Sequence, residues 1–174
     1  MIQHYKQINA LARQAFEDWG SGRLAEAAAG YAAAIALVRD KGLPAVADLH
    51  AQRADVLDAQ GQLADAVAQS ELALAAEQAQ GGASDAAPGV KIARHFLADR
   101  LVRQGQPQRA LDVLAPSLTA LPGDWLLNLT LAEALFAAGR TADARVAAER
   151  SLENASSEDK RTQLAERLAR VLSA

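Results

Sequence analysis

Four glycines, Gly22, Gly61, Gly105 and Gly139, are each followed five residues later by an alanine: Ala27, Ala66, Ala110 and Ala144. Seven residues further on stands a second small residue, Ala34, Ala73, Ser117 or Ser151, and directly after it a large apolar one, Ile35, Leu74, Leu118 or Leu152. The markers are 39, 44 and 34 residues apart. A motif recurring at this period is the mark of a repeat architecture, in which each unit is one supersecondary element.

The element is a helical hairpin. Before each glycine, apolar or small residues recur at helical spacing, as in Ile92, Phe96, Leu97 and Leu101, or Leu127, Leu131, Leu135 and Phe136. Glycine suits the left-handed residue that ends a helix, and a tight turn then returns the chain antiparallel. The alanines that follow let the second helix approach the first, and Leu111, Leu114 and Leu118 fill the space between units. One hairpin cannot bury its apolar face alone, so neighbours must stack. Composition agrees: alanine makes up about a quarter of the chain while Val, Ile, Thr, Phe and Tyr are scarce, which favours helix over strand.

This pattern resembles the tetratricopeptide repeat (TPR) family over nearly the whole chain. The family's first helix carries a large residue, then a leucine and a small residue in tandem, then another large residue. Leu97, Ala98 and Leu101 match in the third unit, and Leu131, Ala132 and Leu135 in the fourth. Pro122 in "TALPGDW" matches the family's closing proline. The second unit departs, with Arg53, Ala54 and Leu57 at those places. In the first, Ile8, Leu11, Ala12 and Ala15 fit if the opening helix is about a turn longer than usual. The resemblance implies an all-α, right-handed α-solenoid of about four hairpins. The expected units are residues 4–40, 43–80, 87–120 and 122–154, closed by a capping helix at 157–173, in a single domain over 1–174.

Breaks fall between these units. "DKGLP" at 40–44 separates the first two, and "QGGASDAAPG" at 80–89 is expected to be the most mobile loop. Pro88 and Pro107 suit the first turn of a helix, whereas Pro116 lies inside one, removes a bond to the Asp112 carbonyl and predicts a kink. Ser156 and Asp159 read as a capping box before a terminal helix whose Leu164, Leu168, Val171 and Leu172 share one face.

Other functions find little footing. The charge of −3 and pI near 5.6, without a basic stripe, argue against a nucleic-acid partner. No cysteine occurs, which removes disulfides and thiolate sites. The most apolar stretch, Leu24 to Val38, is mostly alanine and carries Glu26, where a membrane span needs about 20 strongly apolar residues. "MIQHYKQINALARQAF" reads as no secretory leader, so a cytoplasmic protein is expected, and the "NLT" and "NAS" tripeptides at Asn128 and Asn154 as accidental glycosylation matches. Phosphate loop and Gly-x-Ser-x-Gly elbow are absent from the sequence. His50 and His95 on adjacent first helices fall short of the three or four ligands a zinc site needs, and read with His4 as packing or solvated residues. Asp55 and Asp58 read as a solvated face rather than an acid–base pair, and Trp19 and Trp125 as packing rather than stacking platforms. The expectation is a non-enzymatic protein with no catalytic residues, cofactor or metal.

What the resemblance leaves is surface. The family binds extended or helical peptides along its first helices. Its inward-facing positions map onto Arg13 and Phe16, then Gln52, Asp55 and Asp58, then His95, Asp99 and Arg103, and finally Leu129, Glu133 and Phe136. Four carboxylates with two phenylalanines suit a basic or amphipathic segment. One family subset grips acidic carboxyl-terminal tails through a Lys-and-Asn clamp. The corresponding positions here are Ala12, Phe16, Gln52, Ile92 and Phe96 in one register, or Ala51, Asp55, Phe96, Leu126 and Thr130 in the other, and neither supplies the clamp. The expected role is an adaptor or scaffold, monomeric and, from its Ala/Arg-rich and lysine-poor usage, bacterial. The alternative is a subunit that self-associates or assembles through solenoid faces, or a small secretion-type chaperone.

Overall fold

The computed structural model describes residues 2–80 and 84–174. Among them are ten helices and no strand: α1 (Ile2–Gly20), α2 (Leu24–Asp40), α3 (Ala47–Ala59), α4 (Leu63–Ala79), α5 (Pro88–Arg103), α6 (Pro107–Ala120), α7 (Trp125–Ala137), α8 (Thr141–Glu153), α9 (Glu158–Arg167) and α10 (Ala169–Leu172). The chain divides into two compact units, Met1–Gly82 and Ala83–Ala174. The first holds the hairpins α1–α2 and α3–α4; the second holds α5–α6, α7–α8 and the terminal α9 and α10. The loop expected at 80–89 falls partly on residues 81–83, which lie outside the described residues.

Each marker glycine ends a first helix in the left-handed conformation, with φ of 76° at Gly22, 75° at Gly61 and Gly105, and 77° at Gly139. At the first, the Gly22 N–H donates to the Trp19 carbonyl and the Arg23 N–H to that of Asp18, both at 2.9 Å. The same crossed pair recurs at the other three, and it satisfies carbonyls that a helix end otherwise leaves open. The alanines five residues on, Ala27, Ala66, Ala110 and Ala144, are all fully buried. Their absence of side-chain bulk sets the close helix–helix spacing. Gly30 takes this furthest, since a Cβ there would stand 2.8 Å from the Cβ of Ala15.

The later small positions divide the two units chemically. Ala34 and Ala73 are buried without a polar atom to satisfy, whereas Ser117 Oγ donates to the Asp85 carbonyl at 2.6 Å and Ser151 Oγ to the Trp125 carbonyl at 2.8 Å. Those two bonds tie α6 to the turn that precedes α5 and α8 to the start of α7. The wider early periods owe part of their length to longer helices between the markers: α2 and α4 have 17 residues each against 14 in α6, and α5 has 16 against 13 in α7.

Two expectations change in detail. The N-cap of α9 is Ser157 rather than Ser156; its extended backbone lets Oγ accept from the Lys160 N–H at 3.1 Å. With Lys160 in the third helical position the reciprocal carboxylate bond of a capping box is absent, and Glu158 and Asp159 instead face the positive end of the helix dipole. The terminal segment is also two helices, broken at Leu168. Helix α6 continues through Pro116 to Ala120. Asn128 is fully buried, and its Nδ2 donates to the carbonyls of Pro122 at 2.9 Å and Asp124 at 2.8 Å, so the "NLT" asparagine serves the α7 entry turn.

Each unit has its own core. Tyr31, Ala15, Ala27 and Val56 are central to the first, and Ala132, Ala144, Ala148 and Leu168 to the second. The cap joins the second core through Leu164, Leu168 and Val171, all buried. Burying such side chains is worth about 1.5–3 kcal/mol each. An exposed ion pair is worth about 0–1 kcal/mol, so apolar burial rather than charge holds this segment down.

Candidate functional site

In the second unit the positions read from the sequence separate by depth. Leu129 is 3% exposed and belongs to the core, so its side chain is packing rather than surface. His95 is 7% exposed, and its Nδ1 lies 2.6 Å from the Thr130 hydroxyl. Burial lowers its pKa to about 4, an effect that Arg167 and Arg100 reinforce and Asp99 opposes, so the ring is neutral near pH 7. Asp99, Glu133 and Phe136 are half-buried, and Arg103 is exposed.

Asp99 and Glu133 are brought together by a residue outside the set expected from the sequence. Arg167, on α9, donates from Nε to Glu133 Oε1 at 2.6 Å, from Nη2 to Glu133 Oε2 at 2.8 Å and from Nη2 to Asp99 Oδ1 at 3.0 Å. The planar guanidinium thus forks onto one carboxylate and bridges to a second, a geometry an ammonium cannot reproduce. Glu133's hydrogen bonds hold the Arg167 pKa above its ordinary value. Arg103 reaches Asp99 from the following turn at 3.7 Å.

The register explains the meeting. Asp99 and Glu133 each precede a marker glycine by six residues, as do Phe16 and Asp55 in the first unit. Arg167 follows Glu133 by 34 residues, one repeat length, so α9 takes the place of a further first helix whose residue at this position has inverted charge. Beside the pair lies a cleft of about 360 Å³ lined by Val102, Phe136, Ala137 and Val171, with the Arg170 guanidinium 6.0 Å from the Phe136 ring. Ile92 and Phe96, both exposed, precede Asp99 along the same stripe of α5. The one sequence signal for Arg167 and Arg170 is their spacing of three on a terminal helix whose pattern is dominated by its leucines.

In the first unit, Arg13 and Phe16 lie exposed on α1, while Gln52, Asp55 and Asp58 are partly buried on α3. Phe16 is 59% exposed and meets Trp19 edge-on, 6.3 Å between centroids. Asp18 beneath them bonds Arg23 at 2.6 Å and Gln14 at 3.1 Å, and the Arg23 guanidinium holds its carboxyl below the usual range. Burial, with the charge of Asp55 adding to it, pushes the Tyr31 phenol up. A separate apolar cleft of about 350 Å³ lies among Ile35, Val38, Leu43, Val46, Leu49 and Leu72. His50 Nδ1 is 3.0 Å from Gln69 Oε1 within its own hairpin. Among the described residues no group of three His, Asp or Glu side chains could hold a metal ion, and no helix is long and apolar enough to cross a membrane.

Comparison with known proteins gives a consistent picture. The tetratricopeptide repeat family model matches residues 101–168. No curated protein matches the chain in sequence. Among solved structures, a putative kinesin light chain of Podosopora anserina with nearly identical TPR-like repeats superposes with a TM-score of 0.78 at 19% identity, over 98% of this chain and 87% of that one. MamA (41-end) from Desulfovibrio magneticus RS-1 gives 0.68 at 15% identity, over 96% and 94%. A thermophilic TPR protein of Thermus thermophilus gives 0.62 at 18%, over 94% and 82%. Residues 101–168 are thus similar in sequence to the tetratricopeptide repeat family, and nearly the whole chain is similar in fold to solved tetratricopeptide repeat structures.

Proposed function

We propose that this protein is a non-enzymatic adaptor whose first-helix faces bind a basic or amphipathic segment of a partner protein. The observation that carries the reading is the stripe on α5 and α7: exposed apolar Ile92 and Phe96 run into the carboxylates of Asp99 and Glu133, beside the Phe136 cleft. Such a surface complements a helix with leucines at one end and cations at the other. Arg13, Phe16, Gln52, Asp55 and Asp58 offer a second patch of similar chemistry on the first unit, and His95 and Leu129 support their stripe from below. Residues 1–174 are proposed to act as one domain, as a monomer in the bacterial cytoplasm, the bacterial source resting on the Ala/Arg-rich, lysine-poor usage.

The test is binding of a labelled basic amphipathic peptide to the full chain by fluorescence anisotropy. Charge reversal of Asp55, Asp58 and Asp99 to lysine is expected to weaken it at least tenfold, and unchanged affinity sinks the reading. A peptide ending in Glu-Glu-Val-Asp is expected not to bind.

Exposed Leu72 on α4 and Val146 on α8 favour a second reading, assembly through second-helix faces. Light scattering separates the two: a discrete oligomer that Leu72→Ser and Val146→Ser dissolve supports assembly.

A further inference from the structure

We propose that the Asp99–Glu133 pair is an arginine-reading site and that Arg167 is its resident competitor, displaced by an arginine of the partner segment. The inference rests on the adaptor reading above and adds to it the identity of the key side chain and a built-in threshold for binding.

Three observations carry it. The site already holds a guanidinium in a forked, two-carboxylate geometry, so its preference is written in the bonds from Arg167 to Glu133 and Asp99. The plug and its tether are energetically separate. Arg167 is 45% exposed at its side chain, whereas Leu164, Leu168 and Val171, which anchor the segment, are buried. The guanidinium can therefore swing into water while the cap stays in place, a rotamer change rather than an unfolding event. Finally, the cleft lined by Val102, Phe136 and Ala137 opens beside the pair, leaving room for the stem and an apolar neighbour of an incoming arginine. An intramolecular occupant lowers the apparent affinity of any competitor by the fraction of molecules in which the site is empty. Removing it raises affinity without adding a contact.

The experiment uses the full chain and a labelled, helix-forming peptide bearing one arginine among leucines and alanines, with lysine and citrulline versions of that residue. Arg167→Gln is expected to bind the arginine peptide about tenfold more tightly than the wild type, with Arg167→Lys in between. The citrulline peptide is expected to bind at least tenfold more weakly than the arginine peptide, and the lysine peptide more weakly too, since it cannot fork. Adding Asp99→Asn and Glu133→Gln to Arg167→Gln is expected to erase the gain. Equal affinity of wild type and Arg167→Gln for the arginine peptide overturns the competition and leaves the adaptor reading standing. Binding by neither protein overturns both.

Discussion

The two units follow one repeat grammar and finish it differently. In the first unit the small positions are alanine and glycine, three of the four helices run to 17 or 19 residues, and Tyr5 and Phe16 stand in water. In residues 83–174 two of the small positions are serines that bond across the hairpin, Asp124 caps α7 by accepting from Leu126 and Leu127 N–H groups and also pairs with Lys91 at 2.7 Å, and a terminal segment covers the last hairpin. There Phe136 lies under Arg170, with Lys160 5.4 Å from the Trp125 ring. Stacked repeats bury one another, and a terminal one needs a substitute neighbour. Helices α9 and α10 are that substitute for the second unit, and α9 also brings the Arg167 guanidinium to its carboxylates.

The comparison can be broken at its strongest point first. Leu168→Ala empties a fully buried position where the cap meets the second core, and should cost about 2–5 kcal/mol. Hydrogen exchange should show the loss in α7, α8 and α9 and leave α1 to α4 protected; uniform loss would mean that the two units do not have separable stability.

Acid should discriminate next. His95 has a folded pKa of about 4 against an unfolded value near 6.5, so well above pH 6.5 both states are neutral and it contributes no pH dependence. As pH falls from 6.5 towards 4 the unfolded chain takes up a proton that the folded one refuses, and stability drops by about 3 kcal/mol in all. Denaturant melts across that window should show the decline for the wild type and a shallower one for His95→Gln. Equal slopes would remove His95 as the cause.

Smaller still, Gly30→Ala should destabilise the first unit by about 1–3 kcal/mol, because the new methyl meets Ala15 and the Ala15 backbone lies only 3.4 Å away. Protection in α5 to α8 should be unchanged. A variant as stable as the wild type would show that α1 and α2 can separate without loss.

Most of the hairpin architecture could be read from sequence because it depends on local rules. A glycine with φ near 75° is chosen by backbone sterics at a helix end, and alanines at fixed offsets register how near a partner helix must come. The Ser156 for Ser157 slip has the same origin, since adjacent serines offer equal side chains and only the backbone geometry selects one. The candidate surface was legible in part. Asp99, Glu133 and Phe136 were placed by repeat register, but Leu129 turned into the core and His95 under Thr130 because depth depends on what packs above a helix. Arg167 was missed, since its partners lie 34 and 68 residues away and no local pattern pairs them.

The sequence by itself therefore determined the helices, their turns and the repeat period, each a consequence of interactions within a few residues. Only the tertiary structure decided that two carboxylates one repeat apart share a single guanidinium, because that bond depends on the stacking of hairpins and on a cap whose buried leucines carry Arg167 into place.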